Sequence, residues 1–107
     1  VTFRVDFTPE AAAQLASVEA YIAANANSPV IAWNYFDAIV DYCESLAFFP
    51  LRGMCRDDLM PGLRITNYRG STTIAFLVDV DTATVSILGV FYGGQDYEAT
   101  FEGFLDT

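Results

Sequence analysis

Four arginines, Arg52, Arg56, Arg64 and Arg69, fall within residues 51–69, and only Asp57 and Asp58 oppose them there. Clustered guanidinium groups recognise carboxylates and phosphates, so this stretch is the candidate anion-facing or partner-facing surface. The chemistry open to it is narrow. The chain has no histidine and no lysine. A serine or cysteine hydrolase with a histidine base is therefore excluded. A zinc site would have to be assembled from Cys43, Cys55 and carboxylates, an unusual set, so neither a metal nor a cofactor is expected. Each arginine also has a plainer reading as a solvated or internally paired side chain. Arg64 alternates with the apolar Leu63 and Ile65, which turns it to solvent or toward Asp57 or Asp58. A structural ion pair is favoured there over direct target contact, and Arg56 carries the same two readings.

The surroundings sharpen the cluster. Net charge is -9, with 14 acidic residues against 5 arginines, and the flanks 1–50 and 70–107 are both acidic. Such a chain is repelled by a polyphosphate unless its cations gather on one surface. Apolar runs such as Ile74–Val78 fall far short of the roughly 18 residues a membrane span needs. The N-terminal residues alternate like a strand and lack the cationic region and apolar core of a secretion signal, so a cytoplasmic location is the expectation. Two cysteines are too few for a disulfide framework, and Cys43 lies on an apolar helical stripe, which predicts a packed free thiol.

The elements that must position these residues can be read in order. At 107 residues, the chain is expected to form one domain. Phe3, Val5 and Phe7 alternate with Thr2, Arg4 and Asp6, the period of a half-buried strand over 1–7. Thr8-Pro9-Glu10 then opens a helix to about Ala24, with a hydroxyl N-cap, proline at the first helical position and an acid in the first turn. Leu15, Val18 and Ile22 form its stripe, and Asn25-Ala26-Asn27 interrupts it. Ser28-Pro29 repeats the start signal. Ala32, Phe36, Ile39, Cys43 and Leu46 continue the second stripe until Phe49-Pro50. Two amphipathic helices joined by a short polar turn lie antiparallel.

Residues 51–62 lack periodicity and read as a loop. A meander follows: a strand over 63–68, a turn at Arg69-Gly70-Ser71, a strand over 72–80 with Ile74, Phe76, Val78 and Val80 on one face, and a strand over 84–92 with Val85, Ile87 and Phe91 on one face. Gly93-Gly94 reads as a strand-ending turn, too weak a signal for a phosphate cradle. Gln95–Leu105 is expected to close the chain as a short helix using Tyr97, Phe101 and Phe104. The fold class is α+β, in the order β-α-α-β-β-β, with a helical hairpin on a mostly antiparallel sheet.

This order, together with Thr8-Pro9-Glu10-Ala11, Leu46-Ala47, Pro50, Arg52-Gly53, Arg56, Gly62-Leu63-Arg64 and the run from Val90 to Asp96, resembles the RelE/ParE superfamily of type II toxin–antitoxin toxins. The stretch from Pro50 to Arg64 is ParE-like in particular. The resemblance implies a toxin neutralised by a ParD-like antitoxin and acting on DNA gyrase. Operator DNA would be met only through the antitoxin complex. It places target binding on Arg52, Arg56, Arg64, Arg69, Gln95 and Asp96. The alternatives are a ribosome-dependent messenger ribonuclease of the RelE kind and an inactive toxin-fold binding or repressor-complex subunit. Cleaving a phosphate ester without metal needs cations at the pentavalent phosphate and a group that moves protons. Here Gln95 stands where the family's terminal arginine is expected, and Phe101 where ribonuclease members place a tyrosine. No catalytic residue is assigned.

Partner binding is expected at Trp33, which lies off the Ala32-Phe36-Ile39 stripe, and at Tyr68 and Tyr92, for which core or cross-strand packing is the alternative. A 15% aromatic content and positive mean hydropathy in so short a chain predict exposed apolar surface, and its acidity predicts a basic partner segment.

Overall fold

The computed structural model describes residues 2–26, 28–70, 72–93 and 95–105, with side chains as far as Glu102. Expectations placed on Val1, Asn27, Ser71, Gly94 and the side chain of Phe104 lie outside the described residues. The elements are β1 (Arg4–Phe7), α1 (Pro9–Ala26), α2 (Pro29–Glu44), a 3-10 turn (Ser45–Ala47), β2 (Met54–Cys55), β3 (Arg64–Tyr68), β4 (Thr72–Asp79), β5 (Thr84–Tyr92) and α3 (Tyr97–Leu105). The sheet order is β1-β5-β4-β3-β2, with β1 parallel to β5 and the other pairs antiparallel.

Both helix starts form by the expected chemistry. The Ala11 N–H donates to Thr8 Oγ1 at 3.2 Å, and the Ile31 N–H donates to Ser28 Oγ at 3.3 Å, so each hydroxyl satisfies a backbone donor that the first helical turn leaves open. Thr8 does more than cap, because its hydroxyl also donates to the Ile87 carbonyl at 2.9 Å and fastens α1 to β5. The stripes Leu15, Val18 and Ile22 of α1 and Ala32, Ile39 and Cys43 of α2 are buried against Ile74, Phe76, Val85, Ile87 and Val90. Each such aliphatic or aromatic side chain withdrawn from water is worth roughly 1.5–3 kcal/mol. The pleat sends Ala75 to the opposite face, where Leu59, Leu63, Ile65, Phe91 and Phe101 form a second core under the 56–62 loop and α3.

Four expectations are corrected. First, residues 51–62 are not all loop: Met54–Cys55 pairs with Arg64–Ile65 as an edge strand too short to show a period. Gly53 makes this approach, since at φ +84° a Cβ would collide with the Ile65 carbonyl oxygen. Second, α2 stops at Glu44 and tightens into the 3-10 turn before Phe49. Third, Phe91 does not share a face with Val85 and Ile87. Ala75 pairs with Gly89 while Phe76 pairs with Ile87, so Leu88 is an extra residue, and this bulge reverses the facing of everything after it. Gln14 of α1 holds the bulged strand by accepting the Val90 N–H at 2.7 Å. Fourth, Val80, expected on the buried face of its strand, is exposed just beyond the end of β4.

Candidate functional site

The cationic stretch is brought together, but most of it is turned inward. Arg52 Nη2 donates to Ser45 Oγ at 2.7 Å and its Nε to the Phe49 carbonyl at 3.1 Å, with the guanidinium 5.4 Å from the centre of the Tyr42 ring. It thereby clamps the end of α2, where helix carbonyls carry partial negative charge. Arg64 Nη1 lies 3.4 Å from the Arg52 carbonyl and makes no ion pair with Asp57 or Asp58. The reason is register. Arg64 has the parity of Thr66, which faces α2 and shares a 2.9 Å hydrogen bond with the Tyr42 hydroxyl, whereas the 56–62 loop packs on the other side of the sheet.

Arg56 takes the pairing instead. It donates to both Asp58 oxygens (3.0 and 2.9 Å), to Glu98 at 2.7 Å and to the Tyr97 hydroxyl at 2.9 Å. The hydrogen bonds to Asp58 and then to Glu98 push the Arg56 pKa further up, and the Arg56 bond holds the Asp58 carboxyl below its ordinary value. Asp57 accepts the Gly62 N–H at 2.8 Å. Arg69 is different. Among the described residues its guanidinium has only the Tyr68 ring, 5.2 Å away, and it sits exposed at the tip of the β3–β4 hairpin with φ +54°, next to Gly70 at +74°. A positive φ is free for the glycine and costly for the arginine.

The predicted aromatics enter a larger array. Tyr21, Tyr92, Tyr35, Tyr68 and Tyr42 form a continuous line, with successive ring centres 5.8, 5.7, 6.2 and 5.1 Å apart. Tyr35 shares a 2.8 Å hydrogen bond with buried Thr72. Tyr68 and Tyr92 are therefore half-buried packing residues as well as surface ones. Sequence reasoning missed Tyr35 and Tyr42, although their seven-residue spacing places them on one side of α2.

At the end of the line, Tyr21, Tyr92, Gln14, Ser17, Val18, Gly93 and Gln95 line a half-open cleft of about 460 Å³. Gln95 belongs to it structurally, its Oε1 accepting the Tyr92 N–H at 2.9 Å, while Asp96 caps α3 by accepting the Ala99 N–H at 3.1 Å. Trp33 is exposed and stacks on Phe36 with ring centres 5.8 Å apart. With Val30 and Ile31 it leaves one end of α2 apolar, while Phe48, Phe49 and Leu51 form a second exposed run. Among the described residues no group of His, Cys, Asp or Glu is placed to hold a metal, and no helix is long and apolar enough to cross a membrane.

A helical hairpin over one face of such a sheet, with a short helix closing the other, is the architecture of toxins from type II toxin–antitoxin systems. The chain superposes on the chromosomal ParDE system of P. aeruginosa with TM-score 0.71 at 22% identity, covering 86% of this chain and 97% of the other. The corresponding values for the RelBE2 toxin–antitoxin complex of Mycobacterium tuberculosis are 0.62, 24%, 86% and 99%. Among curated proteins the search gives no match. The family model for the ParE toxin of the parDE type II toxin–antitoxin system matches residues 5–97, and the chain belongs to that family.

Proposed function

We propose that this protein acts in the cytoplasm as a growth-inhibiting toxin directed at DNA gyrase, held inactive by a ParD-like antitoxin that also carries the complex to operator DNA. The observation that carries the choice of target is the commitment of the arginines. Arg52 and Arg64 are spent on backbone and hydroxyl partners, and Arg56 is neutralised by two carboxylates. Transition-state charge on a phosphate needs cations aimed at it and not otherwise engaged. Phe101, fully carbon at its ring and buried in the second core, supplies no proton. Arg69 is left as the cation best placed to meet a target. The exposed Val30, Ile31 and Trp33 support a protein partner, since a free monomer gains nothing from an apolar patch there.

The test sets two purified systems side by side. Added to gyrase and relaxed plasmid, the protein is expected to block supercoiling or trap cleaved DNA, and Arg69→Ala is expected to weaken this while leaving the fold intact. Added to translating ribosomes, it is expected to leave messenger RNA uncut. Codon-specific cuts that vanish in Arg64→Ala would overturn the reading and establish a ribonuclease.

A further inference from the structure

The parallel strand β1 is only four residues long and pairs with Thr84–Ile87 of the nine-residue β5. After Phe7 the chain turns away into α1. Among the described residues no strand borders Leu88–Tyr92 on that side, and the cleft between α1 and the end of β5 lies along this open edge. Two donors of the edge are closed by side chains: the Val90 N–H by Gln14 Oε1 at 2.7 Å and the Tyr92 N–H by Gln95 Oε1 at 2.9 Å. Because an N–H can be received only by the carboxamide oxygen, the orientation of both glutamines is set, and each keeps an NH₂ group that can only donate. A carboxamide bound this way repeats a peptide group: its oxygen accepts from β5 and its nitrogen offers the next donor, as a neighbouring strand would.

We propose that this cleft binds an extended, uncharged peptide segment of a partner protein, whose backbone carbonyls accept from Gln14 and Gln95 while a side chain rests on the Tyr21 and Tyr92 rings. Three features select that occupant. Among the described residues no charged side chain lines the cleft, so neither an anionic nor a strongly cationic ligand finds a counter-charge there. The two carboxamide NH₂ groups can only donate, which suits a backbone that presents carbonyls. The volume of about 460 Å³ suits a few residues of chain. A nucleic acid would also find aromatic rings there, but its phosphates would face a protein of net charge -9 with no arginine in the cleft. The inference is independent of which cellular target the toxin attacks.

Glutamate at both positions separates capping from binding, because a carboxylate still accepts from Val90 and Tyr92 but donates nothing. The uniformly ¹⁵N-labelled protein is titrated with an end-capped hexapeptide of alternating threonine and valine. The Gln14 and Gln95 side-chain NH₂ signals and the Gly93 amide are expected to shift together and saturate. The double variant Gln14→Glu, Gln95→Glu is expected to bind about tenfold more weakly, the loss of two neutral hydrogen bonds partly replaced by water. Ser17→Trp, which fills the cleft and leaves both glutamines in the sequence, is expected to abolish the shifts and keeps the test valid should the double variant not fold. Absence of any shift at millimolar peptide, or wild-type affinity in Ser17→Trp, overturns the proposal. So does a saturable shift of the same signals by an octathymidylate when the peptide produces none.

Discussion

Arg56 and Glu98, forty-two residues apart in sequence, meet at 2.7 Å and join the loop before β3 to the first turn of α3. Tyr97, the neighbour of Glu98, adds its hydroxyl to the same guanidinium at 2.9 Å. The closing helix is thus held at its start by polar contacts and along its length by Phe101 against Phe91, with ring centres 6.2 Å apart. Arg56→Ala is expected to speed amide hydrogen exchange over residues 97–102 and to lower Tm, whereas Glu98→Gln, which keeps an acceptor, lowers it less. Equal exchange in wild type and Arg56→Ala would show that the aromatic contacts alone hold the helix.

Acid should act through the same site. The Asp58 carboxyl is held below its ordinary value by its hydrogen bonds from Arg56, so its contribution to stability is present above the unfolded-state pKa, about 4, and is lost as pH falls through the lowered folded value. Arg56 is shifted upward and stays charged throughout this range. The wild type is therefore expected to lose more stability than Asp58→Asn between pH 5 and pH 2, as chemical denaturation at each pH would measure.

The two thiols should differ sharply. Burial, with a smaller push from Glu44, raises the Cys43 pKa to about 12, while Cys55 is exposed on the edge strand. A cysteine attacks a disulfide as its thiolate, expelling the reagent's other thiol as the leaving group, so a disulfide reagent at pH 8 is expected to label Cys55 promptly and Cys43 only after unfolding. Two equally fast thiols in the native protein would contradict the packing of α2.

Gly89 sits beside the bulge, where a Cβ would lie 2.6 Å from the Phe91 ring and 3.1 Å from Gln14 Oε1. Gly89→Ala should displace Phe91 from the second core and is expected to cost about 1–3 kcal/mol. Urea denaturation would measure it, and a loss below about 0.5 kcal/mol would mean that the ring shifts freely.

Trp33 offers the opposite case. It is 56% exposed and touches Phe36 by stacking, so Trp33→Ala should change stability within about 0.5 kcal/mol. If it anchors the antitoxin, the complex weakens by about 2 kcal/mol or more, which calorimetry on the toxin–antitoxin pair would show. Unchanged affinity would move the anchor to another surface, with the exposed Phe48 and Phe49 next to test.

What could be read from the chain alone was what depends on near neighbours. The Thr8-Pro9 and Ser28-Pro29 starts, the Leu15-Val18-Ile22 and Ala32-Ile39-Cys43 stripes and the turn at Arg69-Gly70 follow from capping, helical period and backbone sterics, and they stand in the structure. The ordered set of such elements was enough to place the family. Period two failed at Leu88, because one inserted residue reverses every later side chain and nothing local announces a bulge held by Gln14 from another element. The fate of the arginines was likewise beyond local reading. Whether Arg56 or Arg64 met an acid depended on which face of the sheet each occupied and on Glu98 arriving from the far end of the chain. The cleft, too, exists only because β1 is shorter than β5 and the chain leaves the sheet at Thr8, a relation between strands distant in sequence that only the packed fold decides.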